Sequence, residues 1–187
     1  LIIVSLLLNG CGTDRDQAVF PELKFTQLQP IAMGVASVDV VNRSPSSRQP
    51  PNVEHLSPIS LVDAVSTWSK ARFVPNGVGS IQFLVMVENA TLQEKNLPID
   101  GGIRGAFKKE QAVEYEARLD VAVRAIAGDG RNLAEARANL WQTRTLPEGS
   151  TLTDRQTVLF EMIESAVLTL DKQLVPEIQR HLSDYIL

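Results

Sequence analysis

The alternation of apolar and polar residues is clearest between Val113 and Arg124. There Val113, Tyr115, Ala117, Leu119, Val121 and Val123 interleave with Glu114, Glu116, Arg118, Asp120, Ala122 and Arg124. Successive strand side chains point to opposite faces, so the pattern predicts a half-buried antiparallel strand with one face in water. Gly128-Asp129-Gly130 suits a tight turn. Beyond it, Ala134, Ala136, Ala138 and Leu140 alternate against Glu135, Arg137 and Asn139 as a hairpin partner. The small alanines require close approach by whatever packs on them, and a helix is expected there. Upstream, Ile81, Phe83, Val85 and Val87 alternate with Gln82, Leu84, Met86 and Glu88. Both sets are largely apolar, which predicts a central strand covered on most of both faces. A first strand is expected over Ile31–Asn42, where Ala36, Val38 and Val40 alternate with Ser37 and Asp39.

Two segments follow the helical period instead. Ser60 and Asp63 have the spacing of a capping box, and Leu61, Ala64, Val65, Trp68 and Ala71 share one face as far as about Phe73. Pro75-Asn76-Gly77 ends that run. After Pro147 and Gly149, Thr153 and Gln156 suggest a second capping box. Leu159, Met162, Ile163, Ala166, Val167, Leu170 and Leu174 then form one stripe, which Ile178, Leu182 and Ile186 continue. Pro176 lies within it and is expected to kink or split the helix. The order is β-α-β-β-β-α. It predicts a single α+β domain over residues 31–187, with a mostly antiparallel sheet and two helices packed on one face. Between the first strand and first helix, Ser44–Pro58 is a long loop with four prolines. Residues 12–30 are mixed and polar and read as a tether, able to reach about 60 Å when extended.

The chain opens LIIVSLLLNGCG, with Leu1–Leu8 apolar except for Ser5. The run is too short to span a bilayer but suits the apolar region of a secretory signal. With no Met or basic residue ahead of it, the visible chain is expected to be clipped at its start. Leu8-Asn9-Gly10-Cys11 resembles the lipobox of bacterial lipoproteins, an ordinary signal peptide containing a cysteine being the alternative. The resemblance implies removal of residues 1–10, a diacylglyceryl thioether on Cys11, and acylation of the new amino terminus. Residues 11–30 then become a lipidated tether. Gly12, where an aspartate would retain the protein at the inner membrane, implies the periplasmic face of the outer membrane. Two or three acyl chains hold far more firmly than one, since each buried methylene contributes about 0.8 kcal/mol.

Composition narrows the function more by exclusion than by indication. The 187 residues carry a formal charge of −4, which argues against nucleic acid as a general partner. Cys11 is the only cysteine, so no internal disulfide forms, and His55 and His181 are far apart in sequence. No cofactor or metal is expected. Gly77-Val78-Gly79-Ser80 lacks the spacing of a nucleophile elbow, and DGGIRGAFKK (Asp100–Lys109) lacks the Gly-Lys-Ser/Thr of a phosphate loop. Glu177 stands four residues before His181, which explains that histidine as a surface pair. Adjacent acids such as Glu114 and Glu116 ordinarily keep a strand soluble. No enzyme is expected.

Two features stand as binding candidates. Arg104, Phe107, Lys108 and Lys109 lie among Gly101, Gly102 and Gly105 in the loop between the second and third strands. Cations with one aromatic suit phosphate groups or a membrane surface; a hairpin loop whose charges merely keep it soluble is the alternative. Of the two tryptophans, Trp68 belongs to the apolar face of its helix. Trp141 follows a polar strand face beside Asn139 and Thr143, and exposed tryptophan often marks an interface.

Taken together, LNGC, VSTWSKARF, DGGIRGAF, YEARLDV and LPEGSTLTDRQ, with a long helix ending in IQRHL, resemble uncharacterised Gram-negative envelope lipoproteins of similar length. More distantly, the element order is similar to that of lipopolysaccharide-assembly lipoproteins and of auxiliary lipoproteins of lipid-transporting ABC systems. The resemblance implies a membrane-anchored protein whose soluble domain binds an envelope component, in lipid or lipopolysaccharide transport. The alternative is a structural or assembly subunit that works through protein contacts.

Overall fold

The structure is a computed structural model that describes residues 19–45, 47–97, 111–147 and 149–187, the side chains of Gln111 and Ala112 aside. Cys11, Arg104, Phe107, Lys108 and Lys109 lie outside the described residues.

The alternating segment forms strand β5 (Gln111–Ile126), and its apolar row from Val113 to Val123 is buried throughout. It pairs antiparallel with β4 (Gln82–Asn96) on one side and with β6 (Asn132–Pro147) on the other. Gly130, at φ +86°, makes the turn of the β5–β6 hairpin, donating its N–H to the Ala127 carbonyl. The fourth strand, β2 (Ser37–Asn42), joins β4 in parallel, giving the order β2-β4-β5-β6. Helix α1 (Leu61–Arg72) lies between β2 and β4 in the chain. A crossover of this kind brings the second strand back in the direction of the first, which is why this pair, alone within the four-stranded sheet, is parallel.

Helix α2 (Leu152–His181) lies over the inner face of the sheet with α1. Its stripe from Leu159 to Ile178 joins Leu61, Ala64, Val65 and Trp68 of α1 and the inner row of the strands in one core. Ala136 and Ala138 on β6 supply the shallow surface on which α2 sits, and Gln142 Nε2 donates to the Met162 carbonyl at 2.6 Å. The fold is thus α+β, with a four-stranded sheet and helices packed against it.

Several local features differ from the sequence expectation. The first strand is two strands. β1 (Ile31–Met33) pairs in parallel with β3 (Phe73–Pro75), while β2 enters the main sheet. The break falls at Gly34, whose N–H donates to the Tyr185 carbonyl, and Leu187 N–H donates to the Ala32 carbonyl. The last residues of the chain therefore take the edge of β1. A Cβ on Gly34 would lie 3.2 Å from the Leu187 side chain.

The cap of α2 is Thr151 with Asp154, not Thr153 with Gln156. Thr151 Oγ1 accepts from Asp154 N–H at 3.1 Å, and the Asp154 carboxylate accepts from Thr151 N–H at 2.8 Å. An aspartate closes the box as a glutamate would, and starts the helix two residues earlier. Pro176 neither splits nor ends α2, which runs on through it. Burial of Leu170, Leu174 and Ile178 on one stripe outweighs the hydrogen bond that proline withholds from the carbonyl four residues earlier.

The segment expected as a tether is fixed to the domain from Phe20 onward. Phe20 stacks on Phe160 of α2 with centroids 5.4 Å apart, and Leu23 and Phe25 are buried in the core. These apolar residues are too widely spaced to show a period, which hid their burial.

Candidate functional site

Polar chemistry gathers at two places: one end of the sheet, and the sheet face away from the helices. At the sheet end, the proline-rich loop after β2 returns along the edge of β4. Val53 N–H donates to the Leu92 carbonyl at 2.9 Å, and Glu94 N–H donates to the Pro51 carbonyl at 2.8 Å. Between this loop, the last residues of β4 and the first turns of α2 lies a cavity of about 620 Å³. Its wall carries Arg48, His55, Glu94, Asn96 and Arg155, with Pro50 and Pro51 behind them.

Arg155 is held from two sides. Its Nη1 is 3.1 Å from Glu94 Oε2 and donates to Tyr115 Oη at 3.2 Å. Tyr115 stands opposite Glu94 in the β4–β5 register and is fully buried. Burial first, and then the Glu94 carboxylate, push the Tyr115 hydroxyl above its ordinary pKa, against a smaller opposing effect of Arg155. The phenol therefore stays neutral at physiological pH. With Glu94 matched to Arg155, the charge left facing the cavity is that of Arg48, which makes no ion pair among the described residues. The arrangement suits capture of an anion.

β4 finishes at Asn96, in the cavity wall, and β5 starts at Gln111. Arg104, Phe107, Lys108 and Lys109 fall between these two strands in the chain, outside the described residues. Sequence reasoning missed Arg48 and Arg155 because they meet only through the folding of a loop and a helix start far apart in the chain. His55 lies in the cavity wall, whereas His181 pairs with Glu177 at 3.4 Å on the surface as its spacing predicts.

The sheet face away from the helices is largely polar. Arg124 and Arg137 each bridge Glu88 and Glu135, closing a ring of four charges. Met86 and Ala122, directly opposite one another, are buried on this same face. The aliphatic stems of the arginines are what such a surface offers to cover them.

Further along, Trp141 is 64% exposed and sits opposite Arg118. Arg118 pairs with Glu116, whose carboxyl is held below the ordinary range first by that guanidinium and then by the Trp141 indole N–H. Asn89, Asp120, Asn139 and Trp141 share a shallow groove there. Trp68, by contrast, is fully buried. Among the described residues, no group of three or more His, Cys, Asp or Glu is placed to hold a metal ion, and no helix is long and apolar enough to cross a membrane.

No protein-family model matches the chain, and no curated protein matches it. Among solved structures it is similar to a minor lipoprotein from Acinetobacter baumannii, at 11% identity and a TM-score of 0.42, over 78% of this chain and 93% of that one. A DUF330 protein from Xanthomonas campestris matches at 12% identity and a TM-score of 0.31, over 80% of this chain and 95% of that one. The PelC dodecamer from Paraburkholderia phytofirmans matches at 14% identity and a TM-score of 0.28, over 76% of this chain and 88% of that one. Likeness at this level carries no argument for a shared role.

Proposed function

We propose that this chain is a lipoprotein of the Gram-negative envelope, held through Cys11 at the periplasmic face of the outer membrane. Its domain acts without catalysis, binding an anionic lipid or lipopolysaccharide headgroup in the course of lipid transport. The observation that carries this reading is the cavity at the sheet end. Arg48, His55 and Arg155 line it, together with Asn96, the last residue of β4. Cations near an anionic surface each contribute about 1 kcal/mol, and the attraction fades with salt.

Sedimentation with vesicles tests the ligand. Phosphatidylethanolamine vesicles containing phosphatidylglycerol should carry down the protein lacking residues 1–11, and with them the acyl anchor, whereas vesicles of phosphatidylcholine alone should not. Joint substitution of Arg48, Arg104, Lys108 and Lys109 by Ala should weaken the association roughly tenfold or more. Undiminished binding by that variant would sink the reading. Cys11→Ser should abolish incorporation of labelled palmitate.

A second reading, an assembly subunit working through protein contacts, draws on β6. Its outer edge has no strand partner among the described residues, and Leu133 and Trp141 are exposed along it. Recovery of one stoichiometric protein, and no lipid, from detergent-solubilised membranes would favour that reading.

A further inference from the structure

Trp141 is an indole left in water at the middle of a paired strand, where the backbone is fixed on one side by β5. Solvent-exposed aromatics on loops are common and adaptable. One on a regular strand presents its ring at a set height and angle. The Glu116 carboxylate beside the indole N–H orients it further. The surroundings are also specific. In the strand register Trp141 faces Arg118, and one step along the same face Asn139 faces Asp120, which faces Asn89. Rows on one face of a strand lie about 7 Å apart, so the ring and this polar row together span about one pyranose unit.

A bulge brings Asn89 into this row. The β4–β5 register slips between Val87 and Asn89. Val87 and Ala90 are both in the core, so the two residues between them share the outer face. Glu88 turns to Arg124 and Arg137, and Asn89 lines the groove with Trp141. The bulge is pinned from the neighbouring segment: Arg43 N–H donates to the Val87 carbonyl at 2.9 Å, and Ser44 Oγ accepts from Ala90 N–H at 2.8 Å. Bulges of this kind re-aim side chains at sites of function.

Charge and polarity choose the occupant. Arg118 is neutralised by Glu116, and Asp120 adds a negative charge, so no net cation is offered to a phosphate. The apolar lining of the groove is Trp141 and Leu140, with polar groups around them, which is too little for the apolar centre of a protein interface. Two amides that both donate and accept, one carboxylate that accepts and one guanidinium that donates match a ring of hydroxyl groups. The flat indole matches the C–H face of the sugar that carries them. We infer that the groove at Trp141 binds a neutral saccharide, its pyranose stacked on the indole and its hydroxyl groups hydrogen-bonded to Asn89, Asp120, Asn139 and Arg118. This site is separate from the anion site at the sheet end.

The two tryptophans make the test internal. The full chain, ¹⁵N-labelled in phosphocholine micelles that contain no sugar, has two indole N–H signals. One belongs to buried Trp68, bonded to Asp171, and the other to Trp141. Titration with neutral hexasaccharides of α-1,4-glucose, β-1,4-glucose and β-1,4-N-acetylglucosamine should move the Trp141 signal alone with at least one of them, saturating with a Kd of about 1 mM or below. By calorimetry, Trp141→Ala should abolish binding, and Asn139→Ala should weaken it about tenfold without altering the fold. Substituting Arg48, Arg104, Lys108 and Lys109 by Ala should leave it unchanged. A Trp141 signal that stays still with all three sugars would overturn the inference. So would binding that survives both Trp141→Ala and Asn139→Ala, or a shift of Trp68 equal to that of Trp141.

Discussion

The Asp171 carboxylate on α2 accepts a hydrogen bond from the Trp68 indole on α1 at 2.8 Å, at a site where Asp171 is only 6% exposed. The same oxygen takes Arg72 Nε at 2.8 Å, and Arg72 Nη1 donates onward to the Gln29 carbonyl. One carboxylate therefore fastens both helices and, through the arginine, the segment ahead of β1. Asp171→Ala leaves a half-buried guanidinium and a buried indole N–H without their acceptor, and should cost about 3 kcal/mol in urea unfolding. Replacing Arg72 by Met and Asp171 by Leu together should recover much of that loss. A single-variant cost below about 1 kcal/mol would mean that water already compensates the pair.

Tyr115 should govern part of the alkaline limit of stability. Its hydroxyl titrates higher in the fold than in the unfolded chain, because burial and Glu94 disfavour the phenolate. The folded state therefore holds this proton more tightly. The resulting stabilisation is fully present below the unfolded value near pH 10 and is lost as pH rises through the folded one. Tyr115→Phe should flatten the fall in stability above about pH 10. Parallel curves for the two proteins would contradict this.

At the acid end the four-charge ring on the open face should be visible. Glu135 is held below the ordinary carboxylate range, by Arg137 first and then by Arg124. Its contribution is therefore present above the unfolded value of about 4.3 and disappears as pH falls through the folded value. Glu135→Gln should reduce the loss of stability on acidification below about pH 5. Added salt should diminish the difference, since the ring is partly exposed.

Pro176 offers a gain. Its place inside an unbroken helix means that the carbonyl of Lys172 lacks its usual donor. Pro176→Ala restores that bond and should raise stability by about 2 kcal/mol, after allowing for the freer unfolded chain. A decrease would show that the proline sets a bend on which the packing of Leu182 depends.

The elements with long, strict periods were legible in the sequence. Every apolar residue on the inner row of β5 is buried, and so is the α2 stripe, because each position repeats the same demand on one face. Short elements were not. β1 and β3 have three residues each and exist because the chain's last residues and the end of α1 arrive beside them. The exposure of Trp141 was readable from its polar neighbours. The row around it was not, because Asn89 reaches the outer face only through a register slip that no local pattern marks. The sheet-end cavity was hidden for the same reason: Arg48, Glu94 and Arg155 belong to three different periods and meet only in space.

The contact between Phe20 and Phe160 sets how far the domain can stray. With Cys11 as the proposed attachment point, the span from anchor to domain is counted to Phe20 and not to Pro30. Nine residue steps extend to about 30 Å, half of what a fully loose segment would allow. Under the proposed anchoring, so short a span would keep the domain close to the bilayer. Its effective concentration toward a membrane-borne ligand would then be high.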